Sequence, residues 1–210
     1  MSIPTTEIII FGASEALRND KSILLPALDL LSQVDGVQMP AYIGLQIEDP
    51  AIGYVFLNWD SREHHEAAMA APSHGPLREL LKPAFTSPGK KYHVIFNSDH
   101  PIQVVLQQPV TEVLLVTLKD PSYRAEVSDL FIKFKESAKK MLMFGPTLED
   151  ENLMFLVIGW ESVEAHLEAV TRPELQAPME RLRTLVNREH VSHTTLTPLP
   201  MKGAVDSEGY

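Results

Sequence analysis

The strongest constraint on this chain is that it matches itself. Residues Gly44 to Leu81 lie over Gly145 to Leu182 without a gap, placing Glu48 on Glu149, Asp49 on Asp150, Trp59 on Trp160 and Ser61 on Ser162. The same register places Glu63 on Glu164, His65 on His166, Ala68 on Ala169, Pro72 on Pro173 and Glu79 on Glu180. The chain has two Trp, and they coincide. Outside this block small gaps are needed: Thr6-Glu7-Ile8 matches Thr111-Glu112-Val113, and His93-Val94 matches His190-Val191. A period of about a hundred residues means two copies of one structural unit.

Each copy carries the order β-α-β-β-α-β. Ile8–Phe11 and Val113–Val116 are short apolar runs rich in β-branched residues, hence strands. Leu24–Val34 and Glu126–Lys139 show helix-spaced apolar positions, and Pro26 suits a first helical turn. Tyr42–Ile47 and Tyr54–Trp59 form a hairpin through Glu48-Asp49-Pro50, with Glu149-Asp150-Glu151-Asn152 as the second copy's turn. Ser61 and Ser162 are expected N-caps, each followed by a Glu that complements the helix dipole. A second helical piece follows Pro76, and Tyr92–Phe96 or His190–Thr195 closes the unit.

This order gives an α+β fold class, the ferredoxin-like split βαβ arrangement in tandem. Such a unit covers one sheet face with helices and leaves the other apolar. The expectation is therefore that two antiparallel sheets pack face to face as a pseudo-dimeric α/β barrel closed within one chain. The expected division is 1–97 and 110–197 for the copies, 98–109 for a linker with an extra strand at Val104-Val105-Leu106, and 198–210 for a flexible tail within the loose stretch that begins at Thr197.

Composition narrows the function classes. With 44% hydrophobic and 22% charged residues the chain is an ordinary globular protein. A net charge of −10 disfavours a nucleic-acid partner. Cys is absent, which removes disulfides, thiolate metal ligands and Cys nucleophiles. The opening Met1 to Glu7 lacks a signal-peptide pattern and no apolar run reaches membrane-spanning length. The expected setting is cytoplasmic, without a membrane partner.

On the third strand, Val55, Leu57 and Trp59 are matched in kind by Leu156, Ile158 and Trp160, as a helix-packed core face should be. Tyr54, Phe56 and Asn58 are matched by Phe155, Val157 and Gly159, and this drifting face is expected to line the cavity. Trp59 and Trp160, at the strand ends, can instead lean over its mouth. His93 and His190 sit on polar faces of the closing strands, either cavity wall or solvated edge.

Eight His make imidazole the natural source of proton chemistry near neutral pH. His65 and His166 are expected to pack against Trp59 and Trp160. No helical i,i+4 pair supports a metal site, since Val170 follows His166 at that spacing. No metal or cofactor is expected. His74 differs, because Ala71-Pro72-Ser73-His74-Gly75-Pro76 breaks two helical pieces and aims the side chain.

The repeat resembles the dimeric α/β-barrel superfamily. Trp59-x-Ser61-x-Glu63-x-His65 with Pro72-x-His74 looks like the signature helix of its antibiotic-biosynthesis-monooxygenase branch, and is similar to the His-Pro-x-His stretch of the stress-responsive barrel and polyketide-cyclase branch. Ala71 and Ala68 replace a His and a Tyr of the latter. The resemblance implies a cofactor-independent enzyme of secondary metabolism acting on a hydrophobic small molecule, a polyketide or terpenoid intermediate. One form is proton-assisted cyclisation, isomerisation or pericyclic rearrangement, with His74, Asn58, His93 and His190 as candidate catalytic residues. Tyr54, Phe56, Trp59, Phe155 and Trp160 are the candidate substrate contacts. The alternatives are a cofactor-free monooxygenase and a non-catalytic binding or stress protein. A homodimer is compatible with each.

Overall fold

The computed structural model describes residues 3–97, 100–138 and 141–199. The strands are β1 (Thr5–Gly12), β2 (Val37–Leu45), β3 (Ile52–Trp59), β4 (Lys90–Val94), β5 (Val110–Leu118), β6 (Leu142–Pro146), β7 (Leu153–Trp160), β8 (Val186–Thr194) and β9 (Thr197–Leu199). The helices are α1 (Glu15–Asn19), α2 (Leu25–Leu31), α3 (Arg62–Ala70), α4 (His74–Leu81), α5 (Gln103–Leu106), α6 (Arg124–Ser137), α7 (Val163–Ala169) and α8 (Pro173–Leu185). Two antiparallel sheets result, ordered β4-β1-β3-β2-β9 and β6-β7-β5-β8. Both contain the ferredoxin-like neighbour order, so the tandem repeat of βαββαβ units stands. None of the described helices is long and apolar enough to cross a membrane.

The first unit runs to His93 and regains the chain at Thr197; the second is Val94–Leu196. In the first, β3 is the central strand, pairing Glu7 with Leu57 and Thr6 with Asn58 on β1. Phe11, Leu57, Trp59, Ala41 and Ile43 form its helix-side core with Leu24, Leu28 and Leu31. In the second, Leu156 and Ile158 pack with Phe131, Phe144, Leu130 and Leu142. The faces assigned to helix packing from the sequence are thus the faces that carry the cores. Asp49 and Asp150 play one role in the two hairpins, each carboxylate accepting a backbone N–H two residues on.

Three local expectations are corrected. Val104-Val105-Leu106 lies in the helix α5, with Val105 and Leu106 fully buried, so tertiary burial overrides the β-branched preference. Thr197–Leu199 is a strand, pairing with Ala41–Ile43 of β2 at the sheet edge, where Pro198 is tolerated. Ser61 holds the N-cap position of α3, but its hydroxyl meets His64 Nδ1 at 3.0 Å and makes no cap bond. Ser162 does cap α7, accepting from the Ala165 N–H at 3.2 Å. Ser162→Ala should therefore cost about 1 kcal/mol in a denaturant melt, and Ser61→Ala distinctly less.

Candidate active site

Each unit builds the same polar cluster on the helix side of its sheet. In the first, Glu7 points inward from β1, between Thr5 and Ile9 on the same face. Its Oε2 accepts from the Trp59 indole N–H at 3.0 Å, and Oε1 lies 3.4 Å from His65 Nε2 and 3.1 Å from Lys91 Nζ. His65 Nδ1 is 2.8 Å from His93 Nε2. In the second, Glu112 Oε2 accepts from Trp160 Nε1 at 2.9 Å and lies 3.5 Å from His166 Nε2. His166 Nδ1 is 2.7 Å from His193 Nε2. Each helix His also packs on its Trp, ring centroids 4.9 Å and 5.0 Å apart, as the sequence led one to expect.

The chain of contacts fixes the protons in the first unit. Glu7 as a carboxylate can only accept, so His65 Nε2 carries hydrogen. Burial pushes His65 down to about 4, a shift that the neighbouring Glu7 charge only partly offsets. His65 is neutral near pH 7, its Nδ1 accepts, and His93 Nε2 donates. In the second unit burial raises the Glu112 carboxyl, against the pull of the Trp160 hydrogen bond and His193.

The His65 shift has a direct consequence for stability. An unfolded His takes up its proton near pH 6.5, whereas folded His65 resists until about pH 4. Between those values the unfolded state binds more protons, so this contribution is full above about pH 6.5 and is lost as pH falls toward 4. The melting temperature should drop across that window, and His65→Asn should flatten the drop. An unchanged slope in that variant contradicts the assignment.

Beside this cluster the first unit holds a cavity of about 130 Å³ between sheet and helices. Its walls are apolar, from Leu28 and Leu31 of α2 to Val55 and Leu57 of β3. Its polar end carries Glu7, His65, Lys91, Ser73, His74 and Arg78. His74 opens α4 at the break after Pro72, half-buried, and its imidazole makes no hydrogen bond among the described residues. Both its ring nitrogens are available to a bound molecule.

The structure distributes the sequence candidates as follows. His74 and Trp59 line this cavity, and His93 reaches it through His65. Tyr54, Phe56 and Asn58 lie on the opposite face of β3 and are buried there. The expected cavity-lining face and this cavity do not coincide. Asn58 Oδ1 accepts from Thr6 Oγ1 at 2.8 Å while its Nδ2 has no partner among the described residues. In the second unit Gly159 stands opposite Thr111, so the Thr111 hydroxyl loses the corresponding amide and is unpaired among the described residues. Phe155, Trp160 and His190 belong to the second unit, His190 bonding Ser192 at 2.9 Å. The residue that matches His93 in contacts is His193, not His190. Glu7, Glu112, Lys91 and His193 had no assigned chemistry; a Glu repeated at one position of the two first strands, after a Thr in each, was the available signal.

No family model matches the sequence, and no curated protein matches it closely. Solved structures do match. A candidate monooxygenase from Fusobacterium nucleatum subsp. nucleatum superposes with a TM-score of 0.67 at 9% identity, over 100% of this chain and 99% of that one. An anthrone oxidase-like protein gives 0.66 at 13% identity, over 93% and 92% of the two chains. A candidate monooxygenase from Lactobacillus acidophilus gives 0.63 at 13%, over 96% and 100%. At such identities the likeness is one of fold, and over its whole length this chain has the tandem ferredoxin-like fold of those proteins.

Proposed function

We propose that the first unit is a cofactor-independent enzyme site that takes a proton from a small, hydrophobic, enolisable or phenolic molecule. The observation that carries this reading is the His74 imidazole, unpartnered among the described residues, on the wall of a mostly apolar cavity in which Glu7, His65 and Lys91 are already tied to one another. Imidazole is the side chain whose ordinary pKa suits a general base near neutrality. His74 removes the proton. Lys91, held 3.1 Å from Glu7, and Arg78 supply positive charge beside the enolate or phenolate oxygen as it forms. The Trp59–Glu7–His65–His93 chain fixes that wall in one protonation state, so it need not reorganise during the step.

The cavity volume limits the substrate. A pocket of about 130 Å³ is close to the roughly 150 Å³ that accepts a benzene-sized guest. One ring enters, and a larger polyketide or terpenoid intermediate would engage through one ring. The setting remains a small-molecule enzyme of secondary metabolism working in the cytoplasm.

Proton removal is the first step of isomerisation, of cyclisation and of cofactor-free oxygenation alike. The likeness to proteins described as monooxygenases and as anthrone oxidase-like favours oxygenation as the second step. There the carbanion gives its electrons to dioxygen and a methylene becomes a carbonyl. The proton from His74 returns to the outer oxygen of the peroxide, the O–O bond breaks, and that oxygen leaves as water with the second hydrogen while the inner oxygen stays as the carbonyl.

Binding is testable without knowing the reaction. In a Trp160→Phe protein Trp59 is the one Trp left to emit, and titration with the one-ring probe 4-nitrophenol should quench it saturably. Leu77→Trp in the same background fills the cavity from α4, and ligand should no longer change the emission. Absence of saturable quenching in the first protein would remove the binding site from the account.

A further inference from the structure

The two polar clusters are alike except for one position, and that exception bears on the second unit. Glu112 of β5, His166 of α7 and His193 of β8 bring a carboxylate oxygen and two imidazole nitrogens within 4.8 Å of one another. Glu7, His65 and His93 do the same in the first unit. There Lys91 adds an ammonium 3.1 Å from the buried carboxylate. Lys91 stands two residues before His93 on β4 and so shares its face. Two residues before His193 stands Val191. On β8 His193 lies opposite Glu112 and Val191 opposite Leu114, in unbroken register, so Val191 occupies the Lys91 position.

Glu112 therefore keeps the indole and imidazole contacts of its counterpart and, among the described residues, has no ammonium beside it. It is 4% exposed. A buried carboxylate without a cation is costly, and the geometry offers a second way to supply one. We propose that Glu112, His166 and His193 bind a divalent first-row transition-metal ion, which takes the place in the second unit that Lys91 holds in the first. Two imidazoles and a carboxylate are a donor set suited to zinc, cobalt, nickel or ferrous iron. His166 Nδ1 and His193 Nε2 lie 2.7 Å apart and share one proton. An ion entering there replaces that proton, and the nitrogens move to roughly 3.3 Å for tetrahedral bonds of about 2.0–2.1 Å. The Trp160 N–H on Glu112 Oε2 then serves as the outer contact that orients the carboxylate. Water fills the remaining positions.

The chelator-treated full chain, free of any affinity tag, is titrated with Co²⁺ and followed by its visible d–d absorption. Metal content after Zn²⁺ displacement is then counted. The expected stoichiometry is one ion per chain. Val191→Lys keeps all three ligands but restores the competing ammonium, and it should weaken binding by about 100-fold, the upper end for an altered outer shell. Val191 is 37% exposed, so this variant folds even where His193→Ala does not. Lys91→Val should open the first cluster and raise the stoichiometry to two. His190→Ala should change neither number. Failure of the wild-type chain to bind Co²⁺ stoichiometrically, or binding that survives Val191→Lys unchanged, overturns the proposal. Because the reading of the first unit needs no metal, either result leaves that reading intact.

Discussion

His74→Ala is expected to reduce turnover of an enolisable ring substrate by about 10²-fold or more, the usual cost of losing a general acid or base. The protein should remain folded. His74 is half-buried, makes no hydrogen bond among the described residues, and starts a helix whose cap does not depend on its ring. Such substitutions typically stay within about ±0.5 kcal/mol. Steady-state rates and a thermal melt on the same preparation separate the two effects. Full turnover in a folded His74→Ala protein would remove His74 as the base.

Trp59→Ala is expected to give the largest loss of stability, about 3–5 kcal/mol by denaturant unfolding. Trp59 is 2% exposed and belongs to the first unit's core with Leu57 and Ile43. Its removal leaves a void beside a cavity that already exists. It also takes away the N–H that holds Glu7 Oε2, leaving part of a buried carboxylate unsatisfied. Trp59→Phe should recover most of the packing and none of the hydrogen bond. The loss that remains in Trp59→Phe isolates the polar part, and the difference between the two variants isolates the packing. A Trp59→Phe protein as stable as wild type would mean the indole N–H contributes nothing.

The fold was legible because two Trp, a capping position and a helix His recur at one spacing, and each has a packing reason to be where it is. Trp59 and Trp160 end the third strands and cover His65 and His166, so the ungapped block is also a structural block. The site was legible in part. His74 could be singled out because a Pro-rich break aims one side chain. The His93 counterpart could not, because α8 runs straight into β8 at Leu185–Val186, whereas the first copy spends a loop between α4 and β4. A local gap of that kind can be placed two ways, and the His-Val dipeptide favoured His190 over His193. Glu7 and Glu112 went unassigned because nothing in one strand reveals which helix residue will face it. The linker helix and the edge strand at Thr197–Leu199 depend on contacts far along the chain, which local preference does not encode.

Proton removal by the first unit can be observed apart from whatever follows it. Under argon, in deuterium oxide, enolisable ketones of increasing size are incubated with the chain and followed by proton NMR. Phenylacetone offers one ring and anthrone three. The account predicts enzyme-catalysed exchange of the acidic C–H with deuterium, faster relative to background for the one-ring ketone, and lost in His74→Ala. Exchange at the background rate with the wild-type chain, across the whole series, would contradict it.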